Sequence, residues 1–173
     1  MQIRNATTGD AAAIAAIYNH AVRDTTAIWN DKEVDTNNRA AWITDRQSAG
    51  YTVIVAEDAG QLLGYAAYGP WRAFDGFRDT VEHSVYVGQG AQGRGLGRAL
   101  LAALITRARD SGLHVMVAGV EAGNEASIKL HVKLGFEQVA MMPQVGQKFG
   151  RWLDLVFLQL RLDTRETPGG DAQ

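Results

Sequence analysis

The sequence predicts a mixed α/β fold: a central, mostly antiparallel twisted sheet flanked by about four helices. Three observations carry that prediction. The elements read β-α-α-β-β-β-α-β-α-β-β. The middle strands arrive as hairpins and a meander, not as repeated β-α-β units. One strand runs into a glycine-rich turn that opens a helix, VYVGQGAQGRGLGRALLAAL at 85–104.

The 173 residues are 46% hydrophobic and hold only three prolines, enough for one domain with a sizeable core. We read 1–162 as that domain and 163–173 as a polar tail without fixed structure. The net charge is −2, with no long basic run, which argues against a nucleic-acid partner. The absence of cysteine excludes disulfides and thiolate chemistry. His20, His83, His114 and His131 are scattered without ligand spacing, so no metal is expected. The start MQIRNATTGD lacks a hydrophobic signal core, and no apolar run reaches membrane-spanning length. A soluble cytoplasmic protein is the expectation.

Each element has its own cue. Residues 2–5 suit a short strand. Thr7, Thr8 and Asp10 offer capping side chains before the Ala/Ile-rich helix at 11–17. Residues 25–35 mix polar positions with Ile28-Trp29 and read as a structured loop. A second helix spans 37–48 and closes at Gly50. YTVIVAE (51–57) and QLLGYAAYG (61–69) are strands joined by Asp58-Ala59-Gly60, a short hairpin link. WRAFDGFRD (71–79) is a loop rich in aromatics and arginine. TVEHSVYV (80–87) is a strand, 95–111 a helix and 113–120 a strand. The helix at 124–134 stops at Gly135. Strands at 136–142 and 152–160 finish the fold.

The glycine turn holds two overlapping motifs. Gly88, Gly90 and Gly93 fit GxGxxG, the dinucleotide fingerprint. Gln92, Gly95 and Gly97 fit Q/R-x-x-G-x-G/A, another phosphate loop. Both would aim backbone N–H groups and a helix start at phosphate oxygens. The dinucleotide frame also needs a β-α-β start and an acidic residue about 20 positions on. Here strands that look antiparallel precede it, and the first acid after the helix is Glu121. The second frame sits at the helix entrance, with Arg94 and Arg98 adding positive charge. We take it as the working one.

About thirty residues downstream stands NEASIKLHVKLGF, 124–136. With the first motif, it resembles the GNAT superfamily of acyl-CoA N-acyltransferases. The family's second motif is N-x-x-(A/S)-x-x-x-Y-x-K-x-G-F. Asn124, Ser127, Lys133, Gly135 and Phe136 match it, and His131 stands at the tyrosine position. VEHSVYV, the histidine in KLHVKLGF, and Lys148, Gly150, Trp152 and Asp154 resemble a narrower branch, the phosphinothricin and methionine sulfoximine N-acetyltransferases.

The resemblance implies acetyl transfer from acetyl-CoA, as co-substrate, to the α-amine of a small amino acid or analogue, by direct transfer in a ternary complex. Val85, Tyr86 and Val87 would line the pantetheine. Gln92, Gly93, Arg94, Gly95, Leu96, Gly97 and Arg98 would receive the pyrophosphate. Asn124 and Ser127 would touch the pantetheine arm, and Asn124 also suits an N-cap. Glu82 is the candidate base. A free carboxylate near ~4.3 is weak against an amine near ~8, so burial or an intervening water is required. His83 alternates to the other face and reads as structural or exposed. His131 is the candidate donor to the departing thiolate, with Tyr86 as the alternative. Arg72 and Arg78 could clamp a carboxylate. Trp29 and Phe74 would wall the acceptor pocket, and the TAIW stretch favours a sulfoximine or sulfone over phosphinothricin. The loop at 146–151 would reach a second subunit of a homodimer. Three alternatives stay open: a peptide or protein amine, a polyamine, and a non-catalytic acyl-CoA-binding module.

Overall fold

Seven strands and four α-helices follow the anticipated order in a computed structural model that describes residues 1–170. The chain divides into two compact units, Met1–Tyr68 with Ser84–Leu104 and Gly69–His83 with Ile105–Gln173.

The first unit holds β1 (Gln2–Asn5), α1 (Ala11–Asp24), α2 (Thr36–Ser48), β2 (Val53–Asp58) and most of β3 (Gln61–Pro70). It also takes the second half of β4 (Thr80–Val87) and the start of α3 (Leu96–Asp110). Its strands lie in the order β1-β2-β3-β4. The β2–β3 turn puts Ala59 at φ 49° and Gly60 at φ 79°. Two left-handed residues in a two-residue loop match the twist of a hairpin. Ile14, Ile17, Ile43, Val53, Val55 and Tyr65 form the core. α1 runs beyond the expected 17 to Asp24 because Ala21 and Val22 keep the apolar spacing and Ile28 packs on them. Asp35 caps α2 by accepting from the Asn38 amide at 2.7 Å. Arg4 joins Asp10 (2.8 Å) to Glu57 (2.6 Å).

The second unit holds the first half of β4, then β5 (Val115–Glu121), α4 (Glu125–Lys133), β6 (Glu137–Lys148) and β7 (Arg151–Arg161). Its strand order is β4-β5-β7-β6. β4 and β5 pair in parallel and the rest antiparallel. The parallel pair follows from the helical crossover α3 that joins them in the chain. Met116, Ala118, Leu158 and Leu160 are buried in this unit.

β6 continues past the expected 142 to Lys148. Pro143-Gln144 reads as a strand end, but a register shift between Met142 and Gly146 absorbs it. Gln144 sits at φ 54°, and its amide donates to Asp154 at 2.7 Å. The stretch 146–151 is therefore the end of a hairpin, turning at Phe149 and Gly150, rather than a free loop. Within the stretch read as a tail, Asp163 accepts from His114 (2.6 Å) and Arg165 (2.6 Å). Residues 171–173 of that tail lie outside the described residues.

Candidate active site

In the first unit, the glycine loop opens α3. Gly93 and Gly95 adopt φ 77° and 78°, a region that L side chains avoid. A Cβ added at either would meet nothing within 4 Å, so the loop is an open cradle. Gln92, Gly93, Arg94, Gly95 and Arg98 are exposed, while Leu96 is buried and anchors the helix start. The first amides of α3 have no acceptor inside the helix. That arrangement fits a pyrophosphate. Val85, Tyr86 and Val87 lie half-buried on the strand that leads into this loop. Trp29 is also half-buried, and its indole donates to the Thr26 carbonyl at 2.8 Å.

In the second unit, α4 begins at Asn124, whose side chain accepts from the Ser127 amide at 3.1 Å. The capping expectation for Asn124 holds. His131 stands one turn beyond Ser127. Its Nδ1 is 2.7 Å from the Ser127 carbonyl and 3.5 Å from the Ser127 hydroxyl. A carbonyl only accepts, so His131 Nδ1 carries the proton. Its Nε2 is 3.1 Å from Nε2 of His83 and must therefore accept, with His83 Nε2–H donating. That leaves His83 Nδ1 bare, buried and without a hydrogen-bond partner. The two rings stack, and Phe136 meets both edge-on. Burial, then the neighbouring His131, pushes His83 down to about 3. Burial also lowers His131, partly offset by the Ser127 carbonyl. His131 is thus neutral, with both nitrogens engaged. The proton-donor role expected of it is not supported by this geometry; it ties α4 to β4 instead. His83 is structural, as one of its two expected readings had it.

Glu82 is half-buried and opposite Val117 in the β4–β5 register. Its Oε1 lies 3.2 Å from where a Cβ on Gly119 would stand. The missing side chain at Gly119 is what makes room for that carboxylate. The same sheet face carries a cavity of about 320 Å³, walled by Trp71, Phe77, Val117 and Phe157 and fringed by Thr80 and Gln159. Trp71 meets Phe157 edge-on, with centroids 5.4 Å apart at 85°. The Arg72 guanidinium lies 4.6 Å over the Trp71 ring. Arg78 is exposed, and Phe74 is 77% exposed, so Phe74 walls nothing within its own unit.

The structure thus places Glu82, Arg72 and an aromatic cavity in one unit, and the open glycine loop at the start of α3 in the other. Sequence reasoning missed Gly119, Phe157 and Gln159. Gly119 left one signal, a glycine inside a strand, which marks a close approach.

Residues 14–136 match the model of the acetyltransferase (GNAT) family. The chain is 62% identical over 168 residues to an L-amino acid N-acyltransferase of Escherichia coli K12, covering 97% of this chain and 98% of that one. It is 61% identical over 168 residues to an L-methionine sulfoximine/L-methionine sulfone acetyltransferase of Salmonella typhimurium, with the same coverage. Among solved structures, a Salmonella typhimurium acetyltransferase with its cofactor acetyl-CoA superposes with a TM-score of 0.96 at 60% identity, covering 99% of each chain.

Proposed function

This chain belongs to the GNAT acetyltransferase family, and on that premise we propose that it acetylates the α-amine of a small amino acid of the methionine sulfoximine or methionine sulfone type. The observation that carries the reading is the Glu82 carboxylate, set over the bare Gly119 on the strand that runs into the phosphate cradle.

Acetyl-CoA, as co-substrate, supplies an activated acyl group on sulfur. The residues that would hold it are Val85, Tyr86 and Val87, the loop Gln92 to Arg98, and Asn124 with Ser127. Glu82 takes a proton from the ammonium group of the acceptor, directly or through one water. The free amine attacks the thioester carbonyl, an N–C bond forms, and the C–S bond breaks. The nitrogen sheds its second proton as the amide forms, and the leaving sulfur takes one, so that one proton is released overall. His131 has no N–H to spare for that sulfur, so Tyr86 is the phenol assigned to this step. Arg72 pairs with the acceptor carboxylate, with Arg78 as the second cation on that loop.

The same reading makes the enzyme cytoplasmic and homodimeric, and its acetylation of a toxic analogue a resistance reaction. Met141, Met142, Val145, Phe149 and Trp152 are exposed along the β6–β7 hairpin. That apolar stripe suits a second copy of the chain.

The test is thiol release from acetyl-CoA with a panel of amines: methionine sulfoximine, methionine sulfone, phosphinothricin, ordinary amino acids, spermidine and a short peptide. Turnover concentrated on the sulfoximine and sulfone is expected. Turnover only with spermidine or peptide overturns the acceptor; none at all, with acetyl-CoA still bound, indicates a binding module.

A further inference from the structure

We propose that the side chain of the acceptor amino acid occupies the Trp71–Phe157 cavity, and that Gly119 is the bare floor joining that cavity to Glu82. The inference rests on the acetyltransferase reading above and names the subsite that selects the acceptor.

Register puts the parts side by side. Glu82 is opposite Val117, Val117 is opposite Gln159, and Gly119 is opposite Phe157. Directly paired residues share one face of a sheet, so the carboxylate and the cavity open on the same side. A Cβ on Gly119 would stand 3.2 Å from Glu82 Oε1 and 3.7 Å from the Phe157 ring. Gly119 contributes only a hydrogen to the space between the base and the aromatic wall, which Leu155 Cδ1 borders at 3.6 Å from the same point. Arg72, stacked on Trp71, marks the rim. An α-amino acid needs a base at its nitrogen, a cation at its carboxylate and a wall for its side chain. All three lie in this unit.

The lining also fits the chemistry of the side chain. About 320 Å³ lies at the small end of ligand sites. The apolar and aromatic lining suits the methylene arm and terminal methyl of such a chain. The Thr80 hydroxyl and Gln159 amide can donate to sulfone or sulfoximine oxygens. Among the lining residues there is no acid to receive a cationic side chain. The wall is therefore built by β5, β6, β7, Trp71 and Phe77, rather than by Phe74.

The test compares kcat/KM for alanine, methionine and methionine sulfone in wild type, Val117→Trp and Gln159→Leu. Val117→Trp should raise KM for methionine sulfone at least about tenfold relative to alanine, because it fills the cavity. Gln159→Leu should penalise the sulfone about tenfold relative to methionine. Gly119→Ala should lower kcat for all three acceptors, since its methyl presses on Glu82. Thermal melts check folding, and if Val117→Trp does not fold, Gln159→Leu decides. Unchanged acceptor ratios in the folded variants overturn the subsite. So does a change of assembly in sedimentation with the ratios unmoved, which would identify the cavity as a contact between copies. A wild-type enzyme that acetylates no α-amino acid fails the functional reading itself, before any variant is made, and the subsite falls with it.

Discussion

His83 and His131 share one proton-ordered contact: their imidazoles stack with centroids 5.0 Å apart and their Nε2 atoms 3.1 Å apart. The order of protons is dictated from one end, by the Ser127 carbonyl at His131 Nδ1. Both rings are neutral as a result, and both lie well inside α4, β4 and Phe136.

A stability prediction follows from His83. Its folded value of about 3 lies below the ordinary 6.5. The unfolded chain therefore binds a proton that the folded chain refuses, and stability falls as pH drops below about 6.5. At pH 5 the loss from this one group is about 2 kcal/mol, and His131 adds to it in the same direction. Urea midpoints at pH 7 and pH 5 should converge between wild type and His83→Gln. Parallel pH curves for the two proteins would remove His83 from the acid limb.

Glu82→Gln keeps the shape of the side chain and removes the carboxylate proposed as the base. Loss of a positioned general base costs about 10²–10⁴ in rate. We expect kcat with methionine sulfone to fall by at least about a hundredfold while acetyl-CoA still binds. The variant's pH–rate profile should also lose the limb that reports the carboxylate. Normal turnover by this variant would overturn the assignment of Glu82 as the base.

The parts legible in the sequence are those whose cause is local. The turn that opens α3 was readable because Gly95 needs a left-handed backbone, whatever surrounds it. Asn124 was readable because a cap acts within its own first turn. What escaped depends on residues far apart in the chain. Alternation gives the face on which His83 leaves β4, but not that His131 will stand opposite. Gly119 looks like a weak point in a strand until Glu82 is placed beside it. Pro143 looks like a strand end until the bulge in β6 is seen. His131 is the instructive case: the motif marks its position, while its hydrogen bonds oppose the role read from the motif.

Asp10 holds the start of α1 to the sheet through Arg4. The Arg4 hydrogen bond keeps its carboxyl at about 2, below the ordinary 3.8. The stability it gives is complete above about 3.8 and is lost as pH falls through 2. It amounts to about 2 kcal/mol. Asp10→Asn should lower the denaturant midpoint at pH 7 by a corresponding amount. The difference should shrink towards zero as pH approaches 2. A difference that persists there would point to packing rather than charge.

Gly95→Ala tests the cradle. The residue sits at φ 78°, where a Cβ costs about 1–2 kcal/mol in backbone conformation. The open space around it means that no side chain need move. The expected result is a rise of about tenfold in KM for acetyl-CoA, with KM for the acceptor unaltered. Isothermal titration with CoA should show the same loss. Equal effects on both substrates would mean that the loop had unfolded, not that the cradle had been spoiled.

Arg72→Ala separates the carboxylate clamp from the packing role of the same side chain. Arg72 lies over Trp71, so its removal also uncovers an aromatic face. A charge-assisted pair to the acceptor carboxylate contributes about 1.5–3 kcal/mol, or about ten- to a hundredfold in KM. An amine with the same side chain and no carboxylate never makes that pair. The measurement is therefore KM for methionine sulfone beside its decarboxylated amine, in wild type and variant. The wild-type preference for the amino acid should collapse in Arg72→Ala, and Arg72→Lys should restore it only in part, because a lysine cannot grip a carboxylate with two parallel bonds. If both acceptors weaken by the same factor, Arg72 acts through Trp71 alone and the carboxylate is held elsewhere, with Arg78 the next cation on that loop to test.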